Sequence, residues 1–211
     1  MMRTTLKYVI AAVILLAAPI YAKATTNTGD PIKVLAIGNS FSEDAVENHL
    51  YEIATAAGKQ IVIGHMYIGG CTLERHVKCI TENIPKYRYS IQGVDGNITY
   101  TKEVLLEAGL KAQDWDIITF QQQSGLSGLY ETWEAHLPAL YEYVKNNVTS
   151  HPVYMIHQTW AYDETSTHRD FYRYEHNQTR MYTGIIKSTT AAAELIGADD
   201  LSPNINPCAI Y

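Results

Sequence analysis

Residues 32–42 read IKVLAIGNSFS, and this stretch decides the fold class of the chain. Residues 32–37 form a short apolar run, which is typical of a buried strand. Gly38-Asn39-Ser40 follow it, and the acidic residues Glu43 and Asp44 then suit the first turn of a helix. The stretch therefore predicts a strand that turns sharply into a helix, with Ser40 at the turn.

The residues beyond this turn predict an amphipathic helix and a second strand. One helical face, spaced with a period of 3.6, comprises Ala45, Val46, His49, Leu50, Ile53, Ala54 and Ala57. Because His49 shares this face, it is expected to be a buried histidine, as is His76 on a later helix. Gly58 is a natural helix stop. A strand over residues 60–68 follows and ends in Gly69-Gly70. Strand, helix and strand at this spacing indicate a βαβ unit and a parallel sheet.

The α/β alternation continues along the chain after one interruption. Alternating residues around Asp95-Gly96 predict a β-hairpin over residues 86–102. The remaining predicted elements are helix 73–80, helix 103–112, strand 116–121, helix 130–147, strand 152–157 and helix 171–196. The fold class is α/β: a doubly wound, three-layer sandwich with a central parallel sheet.

The sequence predicts a single domain over residues 25–211, preceded by a segment of another kind and ending in an irregular tail. Residues 1–24 predict a signal peptide, with a basic start, an apolar run and the cleavage pattern Ala22-Lys23-Ala24. An uncleaved membrane anchor is the alternative. The irregular tail, residues 199–211, carries Pro203 and Pro207, which a central strand or helix does not tolerate. We therefore expect the domain to lack a C-terminal strand and helix.

Charge and cysteine content limit the function classes. The formal charge is −6, and removal of Arg3, Lys7 and Lys23 with the signal would leave about −9. This charge disfavours nucleic acid and anionic lipid as partners, so the secreted or periplasmic protein should bind a neutral or cationic small molecule. Export permits a Cys71–Cys79 disulfide, but both residues fall on one short helix about two turns apart, which favours free thiols. Cysteine and histidine spacing predicts no metal site, and we expect no cofactor.

Four predicted strands end in small or amide residues. Ligands of open parallel sheets bind outside the carboxyl ends of the strands. The four segments are Gly38 to Ser42, Gly69-Gly70-Cys71, Gln121 to Gly125, and His157 to Trp160.

The same segments carry a family resemblance. VLAIGNSFSEDA, YIGGCTLERH, DWDIITFQQQSGLSG and QTWAY, taken in order, resemble secreted bacterial domains of the SGNH or GDSL hydrolase type, with Asn39 in place of the usual Asp. The resemblance covers roughly residues 32–186. It implies a serine ester hydrolase that acts on carbohydrate or another small acyl ester.

The resemblance also implies a role for each position. Ser40 would be the nucleophile, and the backbone N–H groups of Ser40 and Gly70 would contribute to the oxyanion hole. The side chains of Gln121 and Gln123 share one face of an extended strand and would replace the family's asparagine as a further donor. The substrate-binding residues would be Asn39, His157 and Trp160, the last as a flat surface for a sugar ring.

One feature of the family is missing from this sequence. The Asp-x-x-His motif that supplies the general base does not occur, and a serine hydroxyl is a weak nucleophile without a base. His157 and His168 are the substitutes, neither with an evident orienting carboxylate. Three alternatives therefore stay open: a weak esterase, a non-catalytic carbohydrate-binding relative, and a doubly wound domain that binds phosphate at the helix N-terminus at Ser40.

Overall fold

A computed structural model describes residues 29–197. These residues form one six-stranded sheet, whose strands are β1 (Ile32–Gly38), β2 (Ile61–Tyr67), β3 (Tyr87–Gln92), β4 (Ile98–Val104), β5 (Ile117–Phe120) and β6 (Val153–Ile156). The spatial order is β4-β3-β2-β1-β5-β6. The four predicted parallel strands are thus neighbours, which confirms the fold class.

The order of the strands places a crevice beside β1. β1 pairs in parallel with β2 on one side and with β5 on the other, so that Val34 lies between Ile63 and Ile117. The chain leaves β1 for β2 and later returns to the opposite side. Such a reversal opens a crevice at the carboxyl ends of the two flanking strands. Ser40 follows β1 directly and lies at this edge.

The predicted hairpin is part of the central sheet. β3 pairs antiparallel with β2, and β4 pairs antiparallel with β3. The sheet is therefore mixed, with four parallel strands and an antiparallel pair at one edge. The prediction of the hairpin was right, but the sequence did not indicate that it would extend the sheet.

Helices cover both faces of the sheet. They are α1 (residues 40–56), α2 (Leu73–Thr81), α3 (Leu106–Leu110), α4 (Tyr130–Glu134), α5 (Leu137–Asn147), a 3₁₀ helix (Arg169–Tyr174) and α6 (Gln178–Leu195). Leu35 and Ile37 of β1 face the larger core, to which α2 through α6 contribute. Val34 and Ala36 face the opposite way and pack under α1.

Three predicted helices have different bounds in the structure. The helix predicted over residues 103–112 is shortened to α3, because β4 extends to Val104 and Glu103 has a left-handed φ of 56°. The helix over 130–147 is split between α4 and α5, where a proline at the second helical position favours a new start. The helix over 171–196 is interrupted after the 3₁₀ helix by two left-handed residues, Glu175 and His176.

The first helix contains a π-helical stretch. α1 is α-helical over Ser40–Ser42, π-helical over Glu43–Leu50 and α-helical again over Tyr51–Ala56. The wider π turn rotates the later residues, so His49 faces solvent and the expectation that it is buried was wrong. His76 is buried as expected, with its Nδ1 atom 2.8 Å from the Tyr87 hydroxyl.

Several predictions fall outside the described residues. These are the signal peptide over 1–24, the irregular tail over 199–211 and the state of Cys208. Cys71 and Cys79 are both free, as predicted, and both are buried. Among residues 29–197, no helix is long and apolar enough to cross a membrane.

Candidate functional site

The turn after β1 exposes Ser40 and leaves its backbone amide free. Ser40 is the first residue of α1 and is solvent-exposed. The amides of Asn39, Phe41, Ser42 and Glu43 all donate to acceptors within this turn or to Gln121. The amide of Ser40 has no acceptor within the described residues. A free N–H and a hydroxyl are thus presented together at the positive end of a helix.

Gly38 makes this sharp turn possible. A Cβ atom at Gly38 would lie 2.4 Å from Ser42 Oγ and 2.5 Å from Gln121 Oε1. Any side chain would therefore separate β1 from the loop after β5, so glycine is required for the close approach.

Asn39 connects three loops rather than facing the cleft. Its side chain is buried, with 1% exposure. Its Oδ1 accepts from Phe41 N at 3.1 Å and from Gln121 Nε2 at 2.9 Å, and its Nδ2 donates to Cys71 O at 3.0 Å. The expectation that Asn39 binds substrate is thereby corrected, because both ends of the amide are already bonded inside the protein.

Gln121 has a similar supporting role. Its Oε1 accepts from the backbone amides of Asn39 and Ser42, each at 3.2 Å. Its Nε2 donates to Asn39 Oδ1 at 2.9 Å and to Gln122 O at 3.0 Å. Both amide hydrogens are used and the residue is fully buried. This corrects the expected role of Gln121 as an oxyanion donor.

The next two glutamines differ from each other. Gln122 is buried and holds α2, with its Oε1 accepting from Leu73 N at 3.0 Å. Gln123 is half-buried, and its side-chain amide forms no hydrogen bond within residues 29–197. Gln123 therefore stays a candidate donor.

Gly70 lies on a loop tied to the Ser40 turn at two points. Ile68 N donates to Gly38 O at 3.2 Å, and Cys71 O accepts from Asn39 Nδ2. Gly70 lies between these ties, is exposed, and has a left-handed φ of 59° that favours glycine. Its backbone N–H, like that of Ser40, has no acceptor among the described residues.

Trp160 lies beside the turn, whereas His157 does not face the open cleft. The rings of Phe41 and Trp160 pack with their centroids 4.2 Å apart. His157 is 7% exposed and lines an apolar groove of about 230 Å³ on the α1 side of the sheet. Burial, with a smaller effect of His65, lowers the pKa of His157 to about 4. This burial does not fit the expected substrate contact of His157.

His168 has a carboxylate neighbour that the sequence did not reveal. Asp170 is buried, pairs with Arg173 at 3.3 Å, and has its Oδ2 atom 4.0 Å from His168 Nδ1. His168 Nδ1 accepts a hydrogen bond from Asp170 N at 3.2 Å. A neutral His168 then carries its proton on Nε2, which leaves that atom a donor rather than a base.

A buried chain of Ser42, His65 and Glu47 was missed by sequence reasoning. Ser42 Oγ lies 2.9 Å from His65 Nε2, and His65 Nδ1 lies 2.6 Å from Glu47 Oε1. A histidine within the apolar strand IVIGHMY was the available signal, because buried polar side chains need partners. The order of groups matches a Ser-His-acid triad, but Ser42 and His65 are fully buried and out of reach of a substrate.

Comparison with known proteins identifies the family of the chain. The family described as "Domain of unknown function (DUF4886)" matches residues 33–209. The chain belongs to the DUF4886 family. No curated protein matches it.

This DUF4886 chain resembles a crystal structure of a DUF4886 family protein from Bacteroides uniformis. The two are 47% identical, with a TM-score of 0.77, over 80% of this chain and 65% of that one. The chain thus spans less than two thirds of that protein.

Two weaker likenesses involve hydrolases. A candidate SGNH hydrolase from Slackia heliotrinireducens has 17% identity and a TM-score of 0.48 over 80% of this chain and 77% of that one. A family 3 carbohydrate esterase from Clostridium thermocellum has 13% identity and a TM-score of 0.42 over 77% and 74%. At these values neither likeness assigns an activity to the DUF4886 chain.

The DUF4886 chain shows no cluster suited to a metal in the part that the structure describes. Residues 29–197 contain no group of three or more histidine, cysteine or acidic side chains arranged to ligate an ion.

The buried cysteine next to Gly70 is not a candidate nucleophile. Burial raises the pKa of the Cys71 thiol to about 12, which keeps this cysteine protonated and unreactive.

Proposed function

We propose that the chain is an SGNH-type serine ester hydrolase with Ser40 as its nucleophile. One observation carries the proposal. Ser40 is exposed at the carboxyl edge of the sheet, and its backbone N–H and that of Gly70 are both free on loops tied together through Asn39. An ester carbonyl that approached Ser40 Oγ would place its developing oxyanion near these two donors.

Gln123 supplies the third donor in this proposal. It follows Gln121, which is fixed against the Ser40 turn, and its own amide is not used within the described residues. A side-chain amide at this position would take the part that an asparagine has in SGNH hydrolases.

The proposed substrate is a small acyl ester, with an acylated carbohydrate as the favoured class. The Phe41–Trp160 pair offers an aromatic surface beside the nucleophile, on which a sugar ring can stack. The negative formal charge of the chain favours neutral or cationic substrates over anionic ones. We also propose that the protein is exported and, because of its negative charge, that it does not act on nucleic acid or on a membrane surface.

We propose that this ester hydrolysis is slow, because neither candidate histidine in the described residues can act as a general base for Ser40. His157 is buried in an apolar groove, and His168 presents a donor rather than an acceptor at Nε2. A positioned general base contributes a factor on the order of 10²–10⁴ to the rate. Without one, Ser40 retains the help of the oxyanion donors and the helix N-terminus.

Hydrolysis of p-nitrophenyl acetate tests the proposal. We expect slow, saturable hydrolysis by the wild-type chain and a return to the background rate in Ser40→Ala. Ser150→Ala is the matched control, because Ser150 bonds Trp115 O at the opposite end of the sheet and should keep wild-type activity. Equal rates in wild type and Ser40→Ala would reject Ser40 as the nucleophile.

A second function, carbohydrate binding without catalysis, is favoured by the same aromatic pair. If Ser40→Ala leaves the rate unchanged, titration of saccharides against tryptophan fluorescence becomes the deciding experiment. Quenching that Trp160→Ala abolishes would support the binding function.

A further inference from the structure

The turn that carries Ser40 is linked to the sheet by a buried chain of hydrogen bonds. Glu47 is ionised: burial works to raise its pKa, but His65, Ser90 and Arg88 together hold the pKa below its usual value. Burial lowers the pKa of His65, so this histidine is neutral. His65 Nδ1–H then donates to Glu47. The Ser42 hydroxyl lies 2.9 Å from His65 Nε2 and 2.8 Å from Asn39 O, so its one proton is shared between these two acceptors.

The π-helical stretch of α1 allows both Ser42 and Glu47 to contact His65. Ser42 and Glu47 are five residues apart. In an α-helix five residues span about 1.4 turns, so the two side chains would point in different directions. In a π-helix, hydrogen bonds run from i to i+5 and residues five apart lie one above the other. The π turn over Glu43–Leu50 therefore aligns Ser42 and Glu47 toward His65 of β2.

Glu47 is in turn fixed to β3. Its Oε1 accepts from Arg88 at 2.7 Å and from Ser90 Oγ at 2.8 Å. Arg88 also bonds Glu43 at 2.7 Å and lies over the Tyr67 ring at 4.1 Å. The acid end of this hydrogen-bonded chain is thus anchored to the sheet by several contacts.

We propose that His65 and Ser42 are positioning residues for Ser40. The proposal rests on the function proposed above. Ser42 is held at two atoms, its amide by Gln121 Oε1 at 3.2 Å and its hydroxyl by His65 Nε2 and Asn39 O. Because Ser42 lies two residues after Ser40, these bonds fix the first turn of α1 and with it the direction of the Ser40 hydroxyl. A misplacement of about 1 Å at a reacting group costs roughly 100-fold in rate.

A matched pair of variants tests the proposal. Ser42→Ala removes the link to the turn and should lower kcat for p-nitrophenyl acetate roughly 10- to 100-fold, with KM changed less than about twofold. Ser90→Ala makes the same change at a second buried serine of the network, one that bonds Glu47, but it leaves the Ser42–His65 link in place. Its kcat should stay within about twofold of wild type. Equal effects of the two variants on kcat would overturn the proposal.

Hydrogen exchange provides a readout that does not depend on activity. The hydrogen-bonded backbone amides of this turn, those of Asn39, Phe41, Ser42 and Glu43, should exchange about tenfold faster in Ser42→Ala than in wild type, and at the wild-type rate in Ser90→Ala. If the wild type shows no Ser40-dependent hydrolysis, the proposed function fails, yet this exchange pattern still supports a positioned turn. Unchanged exchange in Ser42→Ala overturns the positioning role. Should Ser42→Ala not fold, His65→Leu, which removes the contact with the Ser42 hydroxyl from the other side, replaces it with the same expectations.

Discussion

At the scale of single residues, Gln121 supports the structure of the site, whereas Gln123 is a candidate functional residue. Sequence reasoning placed Gln121 and Gln123 on one face of an extended strand, but β5 ends at Phe120. Alternation of side chains holds only within a strand, so the two glutamines have different environments. Gln121 turns inward to Asn39 and Ser42, whereas Gln123 is left free. The sequence shows which residues follow the strand but not where each side chain points.

Substitution of each glutamine by alanine should separate these roles. Gln121→Ala removes the acceptor of two backbone N–H groups and should lower the free energy of unfolding by about 2 kcal/mol or more. Gln123→Ala should change stability by less than about 0.5 kcal/mol but lower kcat about 10²- to 10³-fold. Urea denaturation and ester hydrolysis measure the two effects. A reversed pattern, with Gln123 governing stability, would contradict the assignment.

At the scale of elements, the strands were predicted more closely than the helices. The four parallel strands are short apolar runs, and burial on both faces gives such strands a continuous pattern that is easily recognised. Helix bounds depend on local backbone states that periodicity does not reveal. Glu103, Glu175 and His176 adopt left-handed conformations although none is glycine. Glu103 lies where one predicted helix was expected to begin, and Glu175 and His176 interrupt another.

The π-helical stretch of α1 is the element that the sequence could not predict. In the sequence, the apolar residues of α1 fit the α-helical period of 3.6. The wider turn is evident only in the structure, where Ser42 and Glu47 both contact His65. π-Helical turns occur frequently at functional sites. Here the π-helical turn begins three residues after Ser40, so this backbone irregularity lies next to the proposed nucleophile.

At the scale of the whole molecule, the edge at which the site lies was predictable from sequence. A strand order that reverses beside β1 requires a crevice at its carboxyl end, and three of the four expected segments are joined there by Asn39 and Gln121. The buried polar network on the other side of Ser42 was not predictable, because it depends on which strand neighbours α1. Family membership does not add an activity, since the family is itself described as a domain of unknown function.

Three buried histidines should make the whole fold sensitive to mild acid. Burial lowers the pKa of His65, of His76 to about 3, and of His157 to about 4. The unfolded chain takes up protons first as the pH falls below about 6.5. The stability that these neutral histidines contribute is therefore present above pH 6.5 and is lost as the pH falls toward 4.

Urea denaturation between pH 7 and pH 4 measures this loss. Each buried histidine should contribute a slope of up to roughly 1.4 kcal/mol per pH unit. His157→Gln should reduce the slope, whereas His49→Gln, at an exposed histidine, should not. A free energy of unfolding that stays constant down to pH 5 would contradict the neutral, buried state of these side chains.

Covalent labelling tests whether Ser40 is a nucleophile beside an oxyanion hole. The wild-type chain and Ser40→Ala are incubated with a fluorophosphonate, digested and mapped by mass spectrometry. We expect one adduct per chain, on Ser40, and none in the variant, because the tetrahedral phosphonate oxygen takes the place of the oxyanion. Equal labelling of both chains, an adduct on another residue or no adduct in the wild type would contradict it.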